Sequence, residues 1–380
     1  MAEITGTTTH DLLTTTSGSD TITALSGDDV IRWTPEGRDT LDAGTTGESY
    51  DANPYNTGNP GGDRLFIEGA TGAWVKLTTT TDGLVKVGGA SLAFSGVDRL
   101  HLTDGNDTLR AGTATLEQDR GLTVFAGAGD DNLGGSLFAD VLDGGSGNDT
   151  IWAGAGDDFV QSSTGHDLIY GGAGMENIRW GLGDDVAAGN DTIRGGTGDD
   201  LINIWSVDDE GRGAHVVWTS ATNGWATSTM GDTTSRLNFG NFEQGWTHQG
   251  NDTVTGAAAR IGDDGRGFRF GTRWGDDLLT GSAGDDTLEG GPGRDTIEGG
   301  AGDDLISANG ASYDPRAEGD GDADVLIFRA GHGNDTVRGF DAGLDVLRFD
   351  ADYSATETAD GTLLTHGADS VLLDGVFGWG

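Results

Sequence analysis

The chain has 380 residues, and its 63 Asp and Glu against 21 Lys and Arg leave a formal net charge of -42. So acidic a chain cannot gain affinity by releasing counter-ions from nucleic acid or an anionic membrane surface, and cations are its natural partners. Cys is absent, which excludes disulfides and thiolate metal sites, and no run approaches the roughly 20 apolar residues of a membrane span. The opening MAEITGTTTHDLLTTTSGSD carries neither a basic nor an apolar leader segment, so a cleaved amino-terminal signal peptide is not expected.

A nine-residue self-similarity organises the chain. Residues 1–62 read as degenerate copies and a loop, with repeats near Ser17 and Ala24 that supply Asp20 and Asp29. Residues 63–125 read as a first β excursion with alternating segments such as AWVKL, returning to a GND turn at Asp107. Residues 126–203 are the main array. It runs AGAGDDNLG, GSLFADVLD, GGSGNDTIW, AGAGDDFVQ, SSTGHDLIY, GGAGMENIR and WGLGDDVAA, then a remnant GNDTIR and a last GGTGDDLIN. Residues 204–271 form a second excursion containing AHVVW and returning to a GND turn at Asp252. The stretch ending at Arg110 parallels the one ending at Thr255, so the two excursions look related. Residues 272–309 carry TRWGDDLLT, GSAGDDTLE, GGPGRDTIE and GGAGDDLIS, and residues 310–380 read as a β cap with one more copy near Ala330.

The pattern is G-G-x-G-x-D-x-U-x, and each position has a physical reason. Glycines at positions one, two and four permit a tight turn through φ values that a Cβ forbids. Position eight is apolar, as in Leu133, Leu142, Ile151, Val160, Ile169 and Ile178, and a single apolar residue between polar ones is a short half-buried strand. Two nonets then close one coil. Such a coil cannot bury its apolar side alone, so coils stack at about 4.8 Å. The predicted fold is all-β, a parallel β-roll (β-solenoid) interrupted by two β excursions.

Stacking puts the aspartates at position six close together. Two carboxylates at about 4.8 Å repel by about 3.5 kcal/mol at an effective dielectric near 20, and a divalent cation between coils reverses that sign. Oxygen-only donors suit Ca2+ better than Mg2+ or a transition metal. The candidate metal residues are Asp131, Asp140, Asp149, Asp158, Asp167, Asp185, Asp191, Asp200, Asp277, Asp286, Asp295 and Asp304, with Asp20, Asp29, Asp107, Asp252 and Asp335 from the isolated copies. Several nonets add an acidic residue at position five, such as Asp130, Asp157 and Asp276. Phe138, Glu176 and Ala187 break the pattern, and sites that touch them are expected to be distorted or empty.

These nonapeptides resemble the hemolysin-type, RTX calcium-binding repeat family over much of the chain. The resemblance implies multiple Ca2+ ions in a β-roll and export by a type I secretion machinery that reads an uncleaved carboxy-terminal signal. It also implies folding outside the cell. The segments DVLIFRAGHGNDTVRGFDAGLDVLRF and GTLLTHGADSVLLDGV look like the closing region of such secreted proteins.

Family members usually carry a separate enzymatic domain, and none is evident here. H-E-x-x-H, G-x-S-x-G and Walker motifs are missing. DGDAD from Asp320 lacks the Gly and the bidentate Glu of a calcium-binding helix–loop–helix. His166 falls at a variable, solvent-facing repeat position. Six of the ten tryptophans lie between Trp180 and Trp274, where packing of the second excursion is the simplest role and a polysaccharide or self-association surface the alternative. The expectation is a secreted, non-enzymatic calcium-binding protein at or near the cell surface, in a matrix, adhesive or surface-layer role. The other reading is an extracellular polysaccharide-active enzyme or carbohydrate-binding module with its site in the excursions.

Overall fold

The computed structural model describes residues 1–44, 62–112, 114, 121–184, 189–207, 212–230, 233–259, 261, 265–309 and 320–379. Asp185 and Ala187 lie outside the described residues. The chain forms two compact units, one of residues 1–179 with 190–198, the other of 180–189 with 199–380. Both are built from short strands, mostly parallel, and no helix occurs among the described residues.

In the first unit, successive nonets alternate between two sheets. Asn132–Gly134, Thr150–Ala155, Leu168–Ala173 and Asn190–Thr197 pair in parallel in one, and Thr123–Phe125, Val141–Asp143 and Phe159–Gln161 pair in the other. Register follows the position-eight residues. Leu109, Leu133, Ile151, Ile169 and Ile193 stack directly over one another in the first sheet, and Val124, Leu142, Val160 and Ile178 do so in the second. All nine are fully buried. Each contributes about 2 kcal/mol on leaving water, too little to order one coil but additive down a stack.

The turns stack as tightly as the strands. Gly147 has φ +133° and a Cβ placed on it would lie 1.9 Å from the Gly129 carbonyl oxygen, so no other residue fits. Two turns use a side chain at the glycine-rich second position at the cost of a left-handed backbone: Leu25 (φ 82°) and Ser163 (φ 62°).

The first excursion is a meander built into the sheet. Ala90–Ser95 runs parallel to Arg38–Asp42, Gly83–Val87 returns antiparallel, and Ala73–Leu77 runs antiparallel to that and parallel to Thr108–Arg110. The second unit holds the same device. Thr233–Gly240, Asn223–Met230 and Arg212–Ser220 form an antiparallel meander whose last-named strand lies parallel to Asn251–Thr255. In each, a glycine faces a phenylalanine across the strands, Gly83 opposite Phe94 and Gly224 opposite Phe239. The ring fills the space that the glycine leaves.

The rest of the second unit resumes the roll, with Val254, Leu279, Ile297 and Leu326 in one column and Phe270, Leu288, Ile306 and Val337 in the other. It closes with Ser354–Glu357, Gly361–His366 and Asp369–Asp374, antiparallel to one another, the last strand added parallel to Asn334–Arg338. Trp218, fully buried, stacks on Phe268 at 5.2 Å and meets Phe239 edge-on, which is the packing role expected of that region. Trp274 by contrast is 47% exposed.

Candidate metal centre

Position six lies where each turn enters its strand, and there the backbone N–H donates to Oδ1 of the position-six aspartate in the next coil. Asp107 donates to Asp131 at 2.7 Å, Asp131 to Asp149 at 2.8 Å, Asp149 to Asp167 at 2.9 Å and Asp167 to Asp191 at 2.7 Å. On the opposite edge of that unit, Asp140 donates to Asp158 at 2.8 Å. In the second unit one ladder runs Asp252, Asp277, Asp295, Asp324, Asp345 and the other runs Asp286, Asp304, Asp335, with donor distances of 2.7 to 3.0 Å. The amino-terminal coils continue the scheme through Asp11, Asp29, Asp63 and Asp98, and through Asp20 and Asp39.

The second carboxylate oxygen divides the rungs into two kinds. At four turns where position two is Ser or Thr without a left-handed backbone, its N–H and hydroxyl reach forward to the carboxylate four residues on. Thr16 does this to Asp20, Thr103 to Asp107, Ser136 to Asp140 and Ser282 to Asp286. Where position two has a left-handed backbone, this N–H points elsewhere. Oδ2 of Asp131, Asp149, Asp158, Asp167, Asp295 and Asp304 is then buried without a hydrogen-bond donor, on side chains at most 3% exposed. A buried carboxylate oxygen without a donor is costly, and a column of them needs positive charge.

Burial and the neighbouring carboxylates push these open rungs far above the ordinary carboxylate range. Asp131, Asp158 and Asp167 rise to about 8 and Asp149 to about 7, and Asp295 and Asp304 also reach about 8. The capped Asp140 and Asp286 rise only to about 6, because donated hydrogen bonds offset the burial. A site of oxygen donors that holds protons only for want of a better cation fits a hard divalent ion.

Position five makes a second, outer ladder. The N–H of Asn148 donates to Asp130 Oδ1 at 2.8 Å, that of His166 to Asn148 Oδ1 at 3.0 Å, and that of Asn190 to His166 Nδ1 at 2.9 Å. The acidic residues at this position are thus solvent-side braces, and His166 has a bracing role too. Arg294 closes one such brace on Asp276 at 2.7 Å.

The irregular positions each have a local cause. Phe138 replaces a glycine, yet its turn keeps the bonds of the Ser282 turn: the Ser136 hydroxyl donates to Asp140 and accepts the Phe138 N–H, as the Ser282 hydroxyl does with Asp286 and Gly284. Glu176 keeps position six and is 1% exposed, with its longer chain packed under Gly171. The N–H of Asp200 donates to Glu243 Oε2 at 2.8 Å, as that of Asp63 does to Asp98 Oδ2 at 2.7 Å. Ala214 likewise donates to Asp252 as Ala73 does to Asp107. The two excursions are therefore alike down to their carboxylate contacts.

Asp39, Asp63, Asp98, Asp324 and Asp345 join the ladders although no glycine-rich nonet announces them. The usable signal is shorter than the nonapeptide: an aspartate two residues before a strand-centre aliphatic, as in Asp63-Arg64-Leu65 and Asp324-Val325-Leu326. Asp335 sits on its rung, but its Oδ2 is taken by His332 Nδ1 at 2.7 Å.

Comparison with protein families agrees with this geometry. The RTX calcium-binding nonapeptide repeat family matches residues 5–32, 92–114, 125–160, 134–169, 155–187, 185–203 and 272–306. No curated protein sequence matches along the chain. Among solved structures, the extracellular lipase LipA from Serratia marcescens is similar at 18% identity with a TM-score of 0.22. The match covers 73% of this chain, which spans 38% of the lipase. RTX nonapeptides bind Ca2+, and the many aspartates buried here fit multiple calcium sites. The chain carries RTX calcium-binding nonapeptide repeats over these matched segments.

Proposed function

We propose that the chain is a secreted calcium-binding β-roll that folds on meeting extracellular Ca2+ and acts at or near the cell surface as a matrix, adhesive or surface-layer component. The observation that carries this is the column of buried, donor-less Oδ2 atoms, which makes the calcium-free roll a poor fold and the calcium-bound one a good fold. Asp131, Asp149, Asp158, Asp167, Asp295 and Asp304 would hold the ions, helped by turn carbonyls, and Ca2+ would supply the positive charge that bridges coils. Asp29, Asp191, Asp200, Asp252 and Asp277 are proposed as further ligands, and Asp185 by its place in the repeat. Asp20, Asp107, Asp140 and Asp286, already capped by Ser or Thr, would contribute less.

The proposed division keeps the excursions at 63–125 and 204–271, the rolls at 126–203 and 272–309, and a cap and type I export segment at 310–380. A low-calcium cytosol would leave the chain unfolded for passage, and calcium at about 10⁻⁴–10⁻³ M outside would fold it. A circular dichroism titration with Ca2+ against a Mg2+ control tests this. Cooperative gain of β signal with calcium alone is expected, and full order in a chelating buffer would overturn the reading.

A second reading, polysaccharide binding, is favoured by one surface. Trp152, 40% exposed, stacks with Tyr170 at 6.2 Å beside a groove bordered by Lys76, Arg110 and Leu137. Tryptophan fluorescence titrated with acidic and neutral oligosaccharides separates the two readings, since an assembly protein gives calcium-dependent multimers and no sugar response.

A further inference from the structure

The closing region gathers nitrogen ligands that calcium does not use. His366 and Asp369 are directly paired across the two-residue turn between Gly361–His366 and Asp369–Asp374, so their side chains leave the hairpin on one face. Asp369–Asp374 lies beside Asn334–Arg338, and His332 shortly precedes that strand. The three side chains consequently meet, with one ligand atom from each within 4.8 Å of the others.

Two further observations point to a ligand. His332 is 2% exposed, packed against Phe328 with ring centroids 5.3 Å apart, yet its Nε2 has no hydrogen-bond partner, and neither has the buried Nδ1 of His366. The other His332 nitrogen, Nδ1, meets Asp335 Oδ2 at 2.7 Å. A carboxylate on one imidazole nitrogen fixes the ring and leaves the opposite nitrogen as a lone-pair donor, the arrangement that supports metal-bound histidine. Asp369 is oriented too, because Gly331 N–H donates to its Oδ2 at 2.7 Å.

We propose that His332, His366 and Asp369 form a site for a borderline divalent metal, Zn2+ foremost, that pins the last hairpin to the end of the roll. Two imidazoles and one carboxylate are a zinc donor set and leave a fourth position for water. Calcium and magnesium prefer oxygen ligands and are poor competitors there. The site takes no ligand atom from the aspartate ladders and touches them only through Asp335, which orients His332.

The test is isothermal titration of the full chain with Zn2+ in saturating Ca2+, for the wild type and for H366A and D369N, with Co2+ absorption as a spectroscopic readout. Both variants alter strand-end residues beside the turn that are not fully buried, and far-ultraviolet circular dichroism should report the same calcium-dependent folding as the wild type. The expected result is one zinc per chain in the wild type and a tetrahedral cobalt spectrum. An outer partner of a zinc ligand alone is worth about 10–100-fold in affinity, so loss of a ligand in either variant should weaken zinc at least that much. Equal zinc binding by wild type and H366A, no zinc bound by wild type, or zinc that binds only by displacing calcium would each overturn the proposal.

Discussion

The backbone N–H of Asp149 donates to Oδ1 of Asp167, 2.9 Å away and 18 residues later. This contact uses one oxygen of each carboxylate to hold two coils in register and turns the other into a buried site with no donor. One hydrogen bond thus locks the coil spacing and creates the demand for a cation.

Removing a single open rung should act through calcium. Asp149→Ala in the main roll is expected to raise the calcium midpoint of folding several-fold and to lower its cooperativity. Asp360→Ala, on an exposed turn of the cap, should change neither. Circular dichroism calcium titrations of both variants provide the check, and equal shifts would sink the stacked-site account.

Capped and open rungs should respond differently. Ser136→Ala removes the hydroxyl that donates to Asp140 at 2.8 Å and is expected to lower stability by about 1 kcal/mol with the number of bound calcium ions unchanged. Asp149→Asn, which leaves the backbone bond an acceptor, should reduce that number. Equilibrium dialysis with calcium, beside urea melts, distinguishes them.

The raised carboxyl groups dictate a pH dependence with opposite signs in chelator and in calcium. Asp131, Asp158 and Asp167 titrate at about 8 when folded and near the ordinary value of 3.8 when unfolded. Between those values the folded calcium-free chain holds more protons than the unfolded one. Its stability is therefore fullest below about pH 4 as far as these groups are concerned, and falls as pH rises through 8. Calcium replaces those protons, so its apparent affinity should rise from pH 5 to pH 8 with proton release on binding. Calcium titrations of folding at the two pH values, and calorimetry of calcium binding in buffers of different ionisation enthalpy, test both signs. A calcium midpoint that does not fall from pH 5 to pH 8, or binding without proton release, would contradict the assignment.

The meander of the second unit depends on a glycine under a ring. A Cβ at position 224 would lie 2.4 Å from Phe239 Cζ and 2.4 Å from the Val217 carbonyl oxygen, so Gly224→Ala should cost about 1–3 kcal/mol. Chemical denaturation in saturating calcium should show that loss, and an unchanged midpoint would mean that the pair does not pack as described.

Much of this was legible in the residue order because the code is local. Asp149, Ile151 and the glycines around them repeat a nine-residue unit whose turn, ligand and core positions are each set by the residue type itself, so roll, register and calcium were all readable. The Asp98–Asp63 and Glu243–Asp200 contacts were less so. The likeness of the two excursions could be seen, but not that the equivalent carboxylates would each accept the N–H of a distant turn, or that the excursions would enter the sheet as meanders. Position-five aspartates such as Asp130 counted toward the metal in the sequence, whereas in the structure Asp130 is exposed and accepts the N–H of Asn148 in the next turn.

Residue order alone determined the period, and with it a stacked β-roll whose like charges require Ca2+, because glycine conformations and side-chain alternation act over a few bonds. Which carboxylates are capped and which are open was decided by tertiary structure, through the backbone that Ser136 or Gly145 adopts against the coil below. So was the meeting of His332 with His366 and Asp369. Contacts between residues more than 30 positions apart depend on how strands are ordered in the sheet, and no nine-residue pattern carries that information.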